Sequence, residues 1–144
     1  MNNPDQLLET LVAEREISRL IHRFNQLNDA GEHEALVALF TEDGLFARPS
    51  DPEHPLIGHA SILAGFKARP PRITRHVVGN IQVNLAGTDE ATASSHVVLY
   101  TSSAADAPVS VLIGGFEDRL VRRDGRWLFQ VRQGSLVMKG SLAS

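Results

Sequence analysis

The chain has 144 residues, 42% of them hydrophobic and 22% charged, with a formal net charge of −3. These values predict one globular domain and exclude a disordered chain. The absence of cysteine excludes disulfides, thiolate metal sites and a Cys nucleophile, and no block of like charge points to nucleic acid or an anionic membrane.

The segment Asn3-Pro4-Asp5 opens a helix: a capping side chain, then Pro at the first helical position, then an acid near the positive end of the dipole. Leu7, Leu8, Leu11, Val12, Ile17, Leu20, Ile21, Phe24 and Leu27 follow in helical spacing, which predicts a long helix over 5–30 that Gly31 stops. A second helix is expected over 32–40, with Ala35, Leu36, Leu39 and Phe40 on one face. Thr41-Glu42-Asp43-Gly44 reads as a turn and Leu45-Phe46-Ala47 as a short strand. The stretch from Arg48 to Pro55 carries three prolines and reads as a loop. A third helix over 59–68 presents Ile62, Leu63 and Phe66, and Arg69-Pro70-Pro71 ends it.

From residue 74 the apolar period becomes two. Val77, Ile81, Val83 and Leu85 alternate with His76, Asn80, Gln82 and Asn84. A turn at 86–89 leads to strands over 91–101, 109–123 and 126–138, the last two joined by a hairpin at Asp124-Gly125. The small, polar tail after Lys139 is expected to be mobile.

The pattern is α+β: a mostly antiparallel, strongly curved sheet whose buried face three amphipathic helices cover, all in one domain over 1–144. A pocket is expected between helices and sheet. The uncovered face of the strands needs a partner, so a homo-oligomer is expected. No apolar stretch approaches the roughly 20 residues that span a bilayer, so no membrane partner is expected. Met1-Asn2-Asn3-Pro4-Asp5 lacks a basic start followed by an apolar run, which makes the cytoplasm the expected location.

Few residues could carry chemistry. There is no Gly-rich phosphate loop and no Gly-x-Ser-x-Gly elbow, and the six histidines form no tight metal-ligand spacing, so no metal and no cofactor are expected. Asp29 ends the first helix, where the dipole disfavours a carboxylate. It is either a solvated turn residue or an acid at a pocket mouth with a cationic or imidazole partner. His76 is either part of a solvated polar face or a base pointing inward, and a bulge at Gly79 would re-aim it. His96, Val98 and Tyr100 share a face of the next strand. Arg132, among Phe129, Val131 and Val137, is either outward and solvated or inward with a carboxylate or an anionic ligand.

Phe24 through Glu32 with Ala38 through Gly44, then Thr74 through Asn80, then Gly114 through Leu120 and Arg123 through Trp127 with Arg132, resemble in order the SnoaL-like family of the nuclear-transport-factor-2-like superfamily. The resemblance spans about residues 10–135 and implies a cone-shaped α+β barrel around one apolar pocket. It extends to the scytalone dehydratases and hexachlorocyclohexane dehydrochlorinases, in which a His takes a proton and an Asp orients it. The matching positions are His76 and Asp29. The resemblance implies a pocket near Val98, Ile113 and Arg132, and Phe24, Asn25, Phe46, Phe66, His96 and Tyr100 complete the expected substrate-binding set. Phe24 stands where those dehydratases carry Tyr and the dehydrochlorinase Lys, so the usual electrophilic helper is missing. His96, Tyr100, Asn25 and Arg132 are the candidates to replace it.

The reading favoured is a cofactor-free lyase or isomerase, dehydratase-like, acting through an Asp–His dyad on a small hydrophobic cyclic molecule. The alternative is a non-catalytic ligand-binding or accessory domain of the same fold. A homodimer or homotrimer is expected in either case.

Overall fold

The computed structural model describes residues 3–142. Among them, three helices and six strands follow in the order α1 (Pro4–Ala30), α2 (His33–Val37), β1 (Phe40–Arg48), β2 (Asp51–Ile57), α3 (His59–Lys67), β3 (Ile73–Leu85), β4 (Glu90–Ser102), β5 (Ser110–Arg123) and β6 (Arg126–Ser141). The α+β class holds. The strands form one open sheet in the order β2-β1-β6-β5-β4-β3. Every pairing is antiparallel except β1 with β6.

Helix α1 begins as its sequence requires. Asn3 Oδ1 accepts from the Gln6 N–H at 2.8 Å, and the Gln6 side chain accepts from the Asn3 N–H at 3.2 Å, a reciprocal cap. It ends at Gly31, whose φ of 72° is left-handed backbone that suits glycine. The apolar stripe divides along its length. Ile17, Leu20, Ile21, Phe24 and Leu27 are buried, whereas Leu7, Leu8, Leu11 and Val12 remain about half exposed, on turns that contribute nothing to the core.

Three expectations need correction. Helix α2 stops at Val37 and the chain enters β1 at Phe40, so 38–40 is not helical. The turn expected at 41–44 lies inside β1, where pairing with β6 is irregular between Phe40 and Leu45. Local turn chemistry there becomes a break in register, with Thr41 Oγ1 donating to Asp43 Oδ1 at 3.0 Å. The expected loop at 48–55 is mostly strand β2, joined to β1 through Pro49-Ser50. Pro52 and Pro55 are tolerated because β2 is an edge strand.

The C-terminal tail is also ordered further than its composition predicts. Strand β6 pairs with β5 as far as Ser141 opposite Ser110, and the Leu142 N–H donates to Val109 at 2.9 Å. Residues 143–144 lie outside the described part.

The core sits between the helices and the inner face of the sheet. Phe24 is its centre, packed against Phe40, Phe46, Phe66, Phe116 and Phe129 with ring centroids 5.5–6.3 Å apart. Such rings contribute roughly 0.5–1.5 kcal/mol per pair beyond simple burial. No helix among the described residues is long and apolar enough to cross a membrane.

Candidate active site

His76 reaches the interior because of a bulge. Gly79 pairs with His96 and Gln82 with Ser94, so two residues of β3, Asn80 and Ile81, face one of β4. Asn80 takes a φ of 50°, a left-handed conformation that asparagine tolerates better than most residues. The bulge inverts strand parity. Thr74, His76 and Val78 therefore share the inner face with Ile81, Val83 and Leu85, although simple alternation sets His76 with the outward polar residues.

Asp29 comes from the last turn of α1, and its carboxylate is held entirely by β3. Thr74 Oγ1 donates to Oδ1 at 2.9 Å, the His76 backbone N–H to Oδ2 at 2.9 Å, and His76 Nδ1 lies 2.5 Å from Oδ1. Both side chains are nearly buried, 11% and 10% exposed. These donors offset the unfavourable end of the helix dipole. The contact fixes the tautomer: Nδ1 carries the proton and Nε2 is left basic. Burial lowers the pKa of His76 below its usual value, the bond and charge of Asp29 oppose this, and Arg69 and Arg72 add to the lowering. Near neutral pH the ring is thus an uncharged base.

The imidazole lines a cavity of about 50 Å³. One wall is apolar, made of Phe24, Phe46, Val97, Leu99, Leu112 and Phe116. The other carries His76, Asn28, Ser50, Arg48, Arg69 and Arg72. In this state there is room for a few waters and too little for a ring, so a cyclic ligand requires the Arg48-Pro49-Ser50 turn or the 69–72 segment to give way. Among the described residues no three His, Asp or Glu side chains gather at a spacing suited to a metal ion.

Of the expected site residues, His76, Phe24 and Phe46 line this cavity, and Asp29 is bonded to His76 without lining it. Phe66 is buried behind Phe24 and Phe46, with Arg69 stacked 4.3 Å above its ring. Asn25 is buried on the far side of Asp29, facing an open groove, and neither polar atom of its amide has a partner among the described residues. Arg132 is inward and fully buried, bound to Asp118 at 2.6 Å and sandwiched among Phe24, Phe116 and Phe129. It braces the core and does not line the cavity. Burial pushes the Asp118 carboxyl up to about 6, with Arg132 pulling the other way.

The expected positions of four residues require correction. His96, Val98, Tyr100 and Ile113 lie on the outer face of the sheet: His96 is exposed and bonded to Asn80, and Val98 pairs with Val77 and Ile113. In β4 the inner face belongs to Ala91, Ala93, Ser95, Val97 and Leu99, so the lining residues fall one place away from those expected. The cavity arginines were missed altogether. Their signal is that Arg48 precedes Pro49, while Arg69 and Arg72 bracket Pro70-Pro71, at the breaks between elements. Charged residues at such breaks usually face solvent, so sequence alone provides no reason to select them.

Residues 9–133 match the model of the SnoaL-like domain. The chain belongs to the SnoaL-like family. Among solved structures, this SnoaL-like chain is similar to a candidate scytalone dehydratase from Novosphingobium aromaticivorans, at 27% identity and a TM-score of 0.81 over 94% of this chain and 91% of that one. It shares the fold of a type 2 hexachlorocyclohexane dehydrochlorinase, at 17% identity and a TM-score of 0.83 over 94% and 93% of the two chains. A Catenulispora acidiphila protein solved in complex with S-DNPA is 25% identical with a TM-score of 0.75, over 88% of this chain and 94% of that one. No curated protein matches the SnoaL-like chain.

Proposed function

We propose that this SnoaL-like protein is a cofactor-free lyase or isomerase in which Asp29 and His76 act as a dyad. The supporting observation is His76 Nδ1 held 2.5 Å from Asp29, with the imidazole lining a cavity that has one wholly apolar wall. Asp29 orients the ring and stabilises the imidazolium that forms, while Nε2 removes a proton from carbon. The electron pair of the broken C–H bond becomes a C=C bond as a β-hydroxyl leaves, and the imidazolium returns its proton to the departing oxygen, giving water. In an isomerase the same proton returns to another carbon. A positioned base supplies typically ~10²–10⁴-fold in rate, and the aromatic wall adds water exclusion and orientation.

Similarity to a candidate scytalone dehydratase agrees with the reaction class. The substrate is a small, mostly apolar cyclic or unsaturated molecule, as the phenylalanine wall requires. A homodimer or homotrimer belongs to the same reading, because the outer face of β3–β6 exposes Val77, Tyr100 and Met138.

The experiment is turnover of a panel of cyclic β-hydroxy ketones and β-hydroxy acids, followed by absorbance of the conjugated product. His76→Ala is expected to lose turnover while still unfolding cooperatively, at a lower thermal midpoint because the bond to Asp29 is gone. Undiminished turnover in that variant rules the dyad out, and a parent that binds members of the panel without turning any over is a binding domain.

A further inference from the structure

The cavity is built on two kinds of wall, and its polar wall has one sign of charge. Arg48, Arg69 and Arg72 line it and no Asp or Glu does, in a chain whose formal net charge is −3. Among the described residues, none of the three has a carboxylate oxygen within 4.0 Å. The neighbouring carboxylates are engaged elsewhere: Asp29 with Thr74 and His76, and Asp51 with His54 on the exposed edge strand. Asp51 exerts only a longer-range attraction on Arg48.

Neutral groups position two of these guanidinium groups without balancing their charge. Arg48 Nη2 donates to the Gly65 carbonyl at 2.5 Å, and its Nε is buried with no partner among the described residues. Arg69 Nη1 donates to Asn28 Oδ1 at 3.3 Å and its plane lies on Phe66. Burial, together with Arg48 and Arg72, pushes Arg69 down to about 9. Gathering like charges beside a buried base is unfavourable unless something anionic arrives. Arginine forks match a carboxylate in both geometry and charge.

We propose that the substrate bears a carboxylate, which Arg69 and Arg72 hold beside His76 with Arg48 closing the site, while its apolar body lies on the phenylalanine wall. This rests on the dyad reading for the chemistry, but the anion site itself does not need it. It also supplies what Phe24 lacks. As His76 takes a proton from the carbon next to the carboxylate, negative charge grows on the carboxylate oxygens, where the guanidinium groups already sit.

The test is calorimetric binding of benzoate and crotonate against their neutral isosteres benzamide and crotonamide, in low-salt buffer without polyvalent anions. The carboxylates are expected to bind at least tenfold more tightly than the amides. Arg72→Ala, at an exposed side chain, and Arg69→Met should each remove most of that preference by weakening the carboxylates far more than the amides, whose carbonyl accepts only a bond without charge on its side, and Arg69→Lys should restore part of it. His76→Ala should retain the preference, which separates this proposal from the dyad: loss of turnover there with the preference intact supports both. Equal affinity for acid and amide, no binding of either, or a preference unchanged in Arg69→Met/Arg72→Ala overturns it.

Discussion

His76 is tied to Asp29 twice, through Nδ1 to Oδ1 at 2.5 Å and through its backbone N–H to Oδ2 at 2.9 Å. One carboxylate therefore both docks the end of α1 on β3 and orients the imidazole. Asp29→Asn separates the two roles. It is expected to lower kcat by about 10²-fold or more, as for a base that loses its charge partner. It should also lower stability by about 1.5–3 kcal/mol, the range for a hydrogen bond to a charged group. Stopped assays and urea titration measure both. A rate within twofold of the parent leaves Asp29 a purely structural tie.

Below the pH of about 9 at which Arg69 loses its proton, activity is expected to fall on the acid side only. The folded protein holds His76 below its ordinary value of 6.5, so the base stays unprotonated through neutral pH, and kcat/KM should fall only where the pH drops below that value. Stability follows the same sign. Below 6.5 the unfolded chain binds this proton more readily than the native one, so the His76 contribution is intact above 6.5 and lost as pH falls toward the native pKa. A pH series of kcat/KM and of urea midpoints, with His76→Gln as control, checks both. An acid limb centred above 6.5 contradicts it.

The Asp118–Arg132 pair should behave as a buried ion pair rather than as part of the site. Both side chains are fully buried, and Asp118 Oδ1 with Arg132 Nε and Nη2 lack partners among the described residues. Asp118→Asn leaves a buried guanidinium without its counterion, at a cost of about 3–5 kcal/mol. The double change Asp118→Leu/Arg132→Met should recover most of that, because apolar replacement of the whole pair removes both desolvation penalties. Denaturant unfolding of the parent, single and double variants decides. A double variant as unstable as the single one contradicts the account.

Gly134 couples β6 to the rim of the cavity. A Cβ there would meet Pro49 N at 2.5 Å, Ala47 O at 2.6 Å and Arg48 C at 2.7 Å, all backbone atoms. Gly134→Ala must therefore push the β1–β2 turn outward. Overpacking of this kind costs roughly 1–3 kcal/mol, and the shift of Arg48 should weaken benzoate binding as well. Unchanged stability and affinity show that the turn moves freely.

Much of the architecture was legible from local patterns. The cap at Asn3, the stop at Gly31, the helical spacing through Ile17, Ile21 and Phe24, and the hairpin at Asp124-Gly125 each depend on neighbours within a few residues, and each occurs in the structure. Strand β2 was not legible, since an edge strand tolerates prolines that composition assigns to a loop. The faces of β4 and β5 were assigned one residue out of phase, and in β4 His96, Val98 and Tyr100 match the inner alternation of Ala93, Ser95 and Val97 in everything but side.

The sequence by itself determined an α+β domain, because helix ends, turns and periodicity are written in adjacent residues, and its resemblance to the SnoaL-like family implied Asp29 and His76 as the site. Tertiary structure alone decided that His76 faces inward, since a bulge at Asn80 sets strand parity only once β3 pairs with β4. It alone brought Arg48, Arg69 and Arg72 to one wall. They come from two segments flanking α3, and nothing short of packing the helix against the sheet reveals that their charges meet in a site with no acid to balance them.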